Sequence, residues 1–164
     1  MEICVEVFSI GNELCYGRVY DTNSFWIADQ ATQLGARVQR ITCIPDDLEN
    51  ICVSLKEAMN RNPHFIFLTG GLGPTSDDLT IDALSSLFNL RIMTRKEILQ
   101  IMAKRRGVPE EQLPPNLVKM ARSLEGAECL PNPVGWAPVT VIERSDTIIA
   151  ALPGPPVEMK ACFS

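Results

Sequence analysis

Apolar and polar positions along this chain change period several times, and each change marks an element. Residues 2–10 form a β-rich run that stops at Gly11. A polar loop, 11–21, leads into a helix predicted over 23–34, where Ile27, Ala31 and Leu34 fall on one face and Gly35 closes the C-terminus. A second strand is predicted over 38–44. Asp46 then opens a helix, with Glu49 in the capping-box position and Leu48, Ile51, Cys52, Leu55, Ala58 and Met59 along its apolar stripe. Phe65, Ile66, Phe67 and Leu68 are apolar on both faces. That run is too short for a helix and reads as a buried central strand of a parallel sheet.

Further on, Ile81, Leu84 and Leu87 mark another helical face. Thr94 and Glu97 form a capping box for a helix that Gly107 and Pro109 end. Residues 108–116 hold three prolines and read as a loop. The runs 139–143 and 147–152 flank Arg144-Ser145-Asp146 as a hairpin, and a short helical fragment follows Pro156. Strands alternate with helices without a repeat or linker. The expected architecture is one α/β domain over 1–164, a three-layer sandwich with a mostly parallel sheet.

Composition changes this picture little. The 164 residues are 46% apolar and 21% charged, ordinary for a globular chain. Fifteen basic against 20 acidic side chains give a net charge of −5, which argues against nucleic acid as a partner. No apolar run approaches the roughly 20 residues of a membrane span, and no basic-then-apolar leader opens the sequence. A cytoplasmic protein with no membrane partner is expected. The six cysteines form no CxxC and read as reduced, buried thiols.

Ligands of open α/β sheets bind beyond the carboxyl ends of the strands. Three segments qualify: Gly11-Asn12-Glu13, the loop from Thr69 to Asp78, and Pro153-Gly154. In the central loop, Gly70, Gly71 and Gly73 let backbone amides approach a ligand, and a helix N-terminus follows. Thr69, Thr75 and Ser76 add hydroxyl donors. This suggests a phosphate or pyrophosphate site; a tight turn with no ligand is the alternative. The loop is neither a Walker A sequence nor a dinucleotide fingerprint. A branched side chain at Gly71 is expected to fill the phosphate position and leave the fold intact.

Asp77 and Asp78 beside a phosphate imply an intervening cation, and Mg²⁺ fits, since it takes one or two carboxylates plus phosphate oxygens. Capping of the next helix by Asp78 is the competing role. Glu13 reads as a hydroxyl- or metal-directed carboxylate or as a solvated loop charge. Asp21, Thr22 and Asn23 read as helix-capping residues. His64 is a weak candidate for a base, and Trp136 for an aromatic platform. The cations at Arg91, Arg95, Lys96, Lys104, Arg105 and Arg106 read as a solvated face.

Several of these segments resemble the CinA-like competence/damage-inducible family in the right order. They are Gly11-Asn12-Glu13-Leu14 with Asp21-Thr22-Asn23, then Thr69-Gly70-Gly71-Leu72-Gly73-Pro74-Thr75 with Asp77-Asp78-Leu79-Thr80. Met120-Ala121, Pro131-Asn132-Pro133-Val134-Gly135, Leu152-Pro153-Gly154 and Glu158-Met159-Lys160 complete the set. The wider group is the molybdopterin-binding MoaB/Mog domain. The resemblance implies a three-layer α/β/α fold with a mixed, mainly parallel sheet and a cleft at the glycine loop. In cofactor-biosynthesis relatives this loop holds the pterin phosphate, and the Asp matched by Asp78 supports Mg²⁺-dependent adenylylation of molybdopterin.

In the CinA-like branch the resemblance implies metal-dependent cleavage of ADP-ribose to AMP and ribose phosphate, with Asp77 and Asp78 as the catalytic, metal-binding pair. A molybdopterin-binding protein and a non-catalytic interaction domain are the other readings. A homo-oligomer is expected. The separate C-terminal amidase domain of bacterial members is expected to be absent from 1–164. Pro45, Cys15-Tyr16 and Trp136 depart from the family pattern, which bears on the ligand more than on the fold.

Overall fold

Short strands apolar on both faces can be covered only by helices on both sides, and the computed structural model, which describes residues 2–163, has that arrangement. In chain order the elements are β1 (Cys4–Ile10), α1 (Asn12–Cys15), α2 (Thr22–Gln33), β2 (Arg37–Ile44), α3 (Leu48–Asn60), β3 (Phe65–Thr69), α4 (Thr80–Phe88), β4 (Ile92–Thr94), α5 (Lys96–Arg106), α6 (Pro115–Met120), β5 (Arg122–Leu124), β6 (Glu128–Leu130), β7 (Val139–Arg144), β8 (Thr147–Leu152) and α7 (Pro156–Phe163). The main sheet has six strands in the order β2-β1-β3-β8-β7-β6. The first four run parallel; β7 and β6 are antiparallel additions at one side. β4 and β5 form a separate antiparallel ribbon. The fold is therefore the expected α/β class, a three-layer sandwich with a mixed, mostly parallel sheet.

The strand faces sort the core into two layers. Phe8, Ile10, Ile66, Leu68, Ile149 and Ala151 pack with Ile51, Leu55, Ala58 of α3 and Ile81, Leu84 of α4. Val5, Val7 and Leu152 pack the opposite face with Ile27 and Ala31 of α2 and Met159 of α7. A satellite cluster joins Ile98 and Met102 of α5 to Leu113 and Leu117. Parallel register sets Cys43, Ser9, Thr69 and Leu152 side by side at the carboxyl ends of β2, β1, β3 and β8.

Several local expectations are corrected. Asp47, not Asp46, caps α3 by accepting from the Asn50 amide, because Asp46 turns to accept from the Asn12 amide at 2.9 Å. Thr94 does not cap α5: it ends β4, paired with Arg122, and Arg95 holds the cap position without a side-chain bond. Part of the 11–21 loop is the helical turn α1. The proline-rich stretch contains a 3₁₀ turn and α6, with Pro115 at the first helical position.

The basic stretch is not simply solvated. Arg95 donates to the carbonyls of Leu124 and Ala127, and Arg105 to those of Gly135 and Asn132, so both tie loops down. No cysteine is fully buried; Cys15 and Cys43 are exposed. Among the described residues, no helix is long and apolar enough to cross a membrane.

Candidate functional site

One cleft of about 600 Å³ opens over the carboxyl ends of the parallel strands. Ser9 and Ile10 enter it from β1, Gly11 from the cap position that follows, and Glu13 and Leu14 from α1. Val19 to Asn23 come from the approach to α2 and its first turn, Asp46 from the turn after β2, and Gly154, Pro155 and Pro156 from the turn between β8 and α7. The loop after β3 supplies Thr69, Gly70, Gly71, Leu72, Gly73, Thr75, Asp77 and Asp78. All three anticipated segments thus meet in one place. Asn12, Ser76 and Pro153 are not among the residues that line it.

The glycine loop serves two ends. Gly70 has φ +100°, and a side chain there would run into the Ile10 carbonyl; its own amide donates to the Leu152 carbonyl at 3.2 Å. Gly70 is therefore where β1, β3 and β8 are brought together, not a free donor. Gly71 has φ +66°, and its missing side chain leaves room for the Thr80 hydroxyl. A branched residue at 71 would therefore strain the loop and displace Thr80, as well as filling the expected phosphate position. Among the described residues, the amides of Gly71, Leu72, Gly73, Ser76 and Asp77 have no hydrogen-bond partner, so they are the donors this loop can offer.

The hydroxyls are largely committed within the protein. Thr69 Oγ1 donates to the Pro153 carbonyl at 2.9 Å and accepts from Asn23 Nδ2 at 2.8 Å. Thr75 donates to Asp78 Oδ2 from both its amide, at 2.8 Å, and its hydroxyl, at 2.7 Å. Ser76 reaches Asp77 Oδ1 at 3.3 Å. Asp78 does not cap α4: its carboxylate folds back onto Thr75, and the α4 cap position is Leu79, with no side-chain bond. Lys119 Nζ donates to the Thr75 and Asp78 carbonyls and pins this loop from outside the cleft.

Electrostatically the lining is one-sided. Glu13, Asp21, Asp46, Asp77 and Asp78 line the cleft, and among the described residues no lysine, arginine or histidine does. Asp46 shows the consequence. Partial burial raises its carboxyl above the usual range, and the nearby Glu13, Asp78 and Asp77 charges add to this; the Asn12 amide opposes it. Among the described residues, no three His, Cys, Asp or Glu side chains converge into an all-protein cation cage. The donor set suits instead a cation that takes one or two carboxylates and completes its shell with ligand oxygens and water, as Mg²⁺ does.

Asn23 is the residue whose part in the cleft the sequence concealed. Read as a capping residue, it is buried, and Nδ2 donates to Thr69 Oγ1 and, at 2.7 Å, to the Gly154 carbonyl, joining the ends of β3 and β8 to α2. Its Oδ1 and the Ser9 hydroxyl are buried without partners among the described residues. Its position in Asp21-Thr22-Asn23 was the available signal, with Asp21 the actual cap through the Ser24 amide. Asp46 was equally hidden behind a capping role. Two weaker candidates fall away: His64 Nδ1 accepts from the Cys4 amide at 3.0 Å at the far end of β3, and Trp136 packs on the α5–α6 cluster.

Comparison with known proteins places this geometry. The crystal structure of CinA from Thermoplasma acidophilum superposes with a TM-score of 0.90 at 30% identity, covering 98% of this chain and 93% of that one. The MoaB molybdopterin biosynthesis enzyme of Thermus thermophilus shares the fold, with a TM-score of 0.65 at 18% identity over 98% and 87% of the two chains. A CinA-like protein of Thermosipho melanesiensis is 35% identical over 157 residues, 96% of this chain but 39% of the relative. A Pyrobaculum aerophilum protein is 40% identical over 157 residues, again 96% of this chain and 59% of the relative. The chain thus spans less than two thirds of the length of each of these two relatives. The family model described as a probable molybdopterin binding domain matches residues 6–164. The chain belongs to this molybdopterin-binding domain family, and within it to the CinA-like proteins.

Proposed function

We propose that the cleft binds a phosphate-bearing nucleotide or pterin together with Mg²⁺, and that its reaction is hydrolysis of an ADP-ribose-type pyrophosphate to AMP and ribose phosphate. The observation that carries the reading is the pairing of free glycine-loop amides with a lining whose only charged side chains, among the described residues, are carboxylates. A phosphate entering such a cleft meets like charge unless a cation stands between them, and at a few ångströms that repulsion is worth several kcal/mol. Asp77 and Asp78 would hold Mg²⁺, which when bound neutralises phosphate charge and acidifies water.

The amides of Gly71 to Gly73 would hold phosphate oxygens. Glu13 would accept from a ribose or pterin hydroxyl. Asn23 Oδ1 and Ser9 Oγ, otherwise unpartnered, support a ligand whose polar groups reach the cleft floor. The family itself supports the second reading, binding or adenylylation of molybdopterin. Self-association into a homo-oligomer is part of the proposal.

The deciding experiment incubates the purified chain with Mg²⁺ and ADP-ribose, and separately with Mg²⁺, ATP and molybdopterin. AMP and ribose phosphate from the first mixture support the pyrophosphatase reading. An adenylylated pterin from the second supports the alternative. Binding without turnover in both would leave a non-catalytic interaction domain. Light scattering on the same preparation tests assembly, with a mass of one 18.1 kDa chain counting against the oligomer.

A further inference from the structure

Two cysteines separated by 28 positions in the sequence meet at the rim of the cleft. Cys15 ends α1 and Cys43 lies on the edge strand β2; their Sγ atoms are 3.3 Å apart, and both residues are exposed. The backbone on either side is already joined. The Gly11 amide donates to the Ile44 carbonyl at 3.0 Å, the Asn12 amide to Asp46, and the Cys15 amide to the Gly11 carbonyl at 3.3 Å. The two sulfurs are thus held in contact by their frame, and bonding at about 2.05 Å requires a closure of little more than 1 Å. Other thiols are differently engaged: Cys4 and Cys52 contact backbone carbonyls at 3.8 and 3.6 Å.

We propose that Cys15 and Cys43 are a dithiol site that low-molecular-weight disulfides oxidise, clamping α1 to β2 beside the cleft. The chemistry is thiol–disulfide exchange. The Cys15 thiolate attacks one sulfur of RSSR, the S–S bond breaks, and RS⁻ leaves and takes up a proton. Cys43, losing its proton, then attacks the Cys15 sulfur of the mixed disulfide; the Cys15–Cys43 bond forms and the second RS⁻ leaves. Two protein thiols and RSSR become one protein disulfide and two RSH, so the protein loses two electrons and the reagent gains them.

The order of attack follows from surroundings. Partial burial, the hydrogen bond with Cys15, and the charges of Cys15, Asp21 and Glu13 push the Cys43 thiol up to about 12. Cys43 therefore keeps its proton while Cys15 reacts first. Capping Cys15 removes that neighbour's hydrogen bond and charge, two of the causes that raise Cys43, while partial burial, the largest, remains. The clamp fixes the short helix that carries Glu13 into the cleft.

The test uses the reduced chain and oxidised glutathione. The expected product has lost two thiols and the mass of two hydrogens, and its non-reducing peptide map links Cys15 to Cys43. Cys43→Ser is expected to retain glutathione on Cys15. Cys15→Ser is expected to form no intramolecular bridge at Cys43. Amides of residues 12–17 should exchange with deuterium more slowly in the oxidised chain, and dithiothreitol should restore the original rate. A wild-type chain that keeps glutathione stably on Cys15, a bridge between other cysteines, or unchanged exchange over 12–17 would overturn the proposal.

Discussion

Thr80 occupies the volume that a side chain on Gly71 would need, and its hydroxyl donates to the Gly70 carbonyl at 2.8 Å. Thr80 is itself fully buried at the start of α4. The glycine loop is therefore anchored to the following helix by a side chain that depends on the absence of its neighbour's. A left-handed backbone costs about 1–3 kcal/mol for a non-glycine residue, and displacing Thr80 adds to it. Gly71→Ala is expected to lower unfolding free energy by about 2–4 kcal/mol, measured by urea titration. Unchanged stability with lost ligand affinity would show that residue 71 acts on the ligand alone.

Glu6 lies in the middle of the sheet with no exposure, and Arg61 at the end of α3 meets it in a two-pronged contact, Nε to Oε1 and Nη2 to Oε2, both 2.7 Å. Removing one partner of a buried pair leaves a stranded charge, typically at a cost of about 3–5 kcal/mol. Arg61→Ala should fall near the lower end, because the arginine side chain is 27% exposed and water can reach the site it vacates. Thermal unfolding monitored by circular dichroism checks this. A shift of less than about 1 kcal/mol equivalent would place the pair among ordinary surface contacts.

Asp46 links the cleft to pH. Its raised carboxyl binds a proton more readily in the folded chain than in the unfolded one, first through partial burial and then through Glu13, Asp78 and Asp77. The sign follows: folding is favoured below the ordinary carboxylate value, and that contribution is lost as pH rises through the folded-state value. At neutral pH the ionised group opposes folding. Asp46→Asn keeps an oxygen for the Asn12 amide and removes the charge, so it should raise the melting temperature near pH 7. The gain should shrink as pH falls toward about 4. A gain that is independent of pH would rule out charge as the cause.

Elements with a strong local pattern were readable from sequence. Phe65 to Leu68 announced a central strand because burial on both faces leaves no polar alternation, and the β7–β8 hairpin announced itself through Ser145-Asp146 between two apolar runs. What was lost depends on distant partners. The three-residue strands β4, β5 and β6 are too short to show a period and are defined only by their pairing, which for β4 and β5 spans about thirty positions of chain. Asp46 and Asp47 are adjacent carboxylates before one helix, and only the Asn12 contact decides which caps it. The cleft followed the same rule. Its glycine loop and Asp77-Asp78 were legible as a motif, whereas Asn23 and Asp46 looked like ordinary capping residues until three strand ends were brought together around them.

The Asp77-Asp78 pair makes the cation dependence testable. Each carboxylate lines the cleft, but their attachments differ: Asp78 is fixed by two bonds from Thr75, whereas Asp77 is exposed and meets Ser76 at 3.3 Å. A pre-positioned carboxylate loses less conformational freedom on taking up a cation, which favours Asp78 as the stronger ligand. Binding of ADP-ribose, followed by calorimetry, should strengthen with Mg²⁺ and weaken with a chelator. Asp78→Asn should reduce the Mg²⁺-dependent gain by roughly tenfold or more, about 1.4 kcal/mol per decade. It should leave the fold intact, because the amide oxygen can still accept from the Thr75 amide and hydroxyl. Asp77→Asn should have the smaller effect. If Asp78→Asn bound with wild-type Mg²⁺ dependence while Asp77→Asn lost it, the exposed carboxylate would be the cation's ligand, and Asp78 would serve only to hold the loop through Thr75.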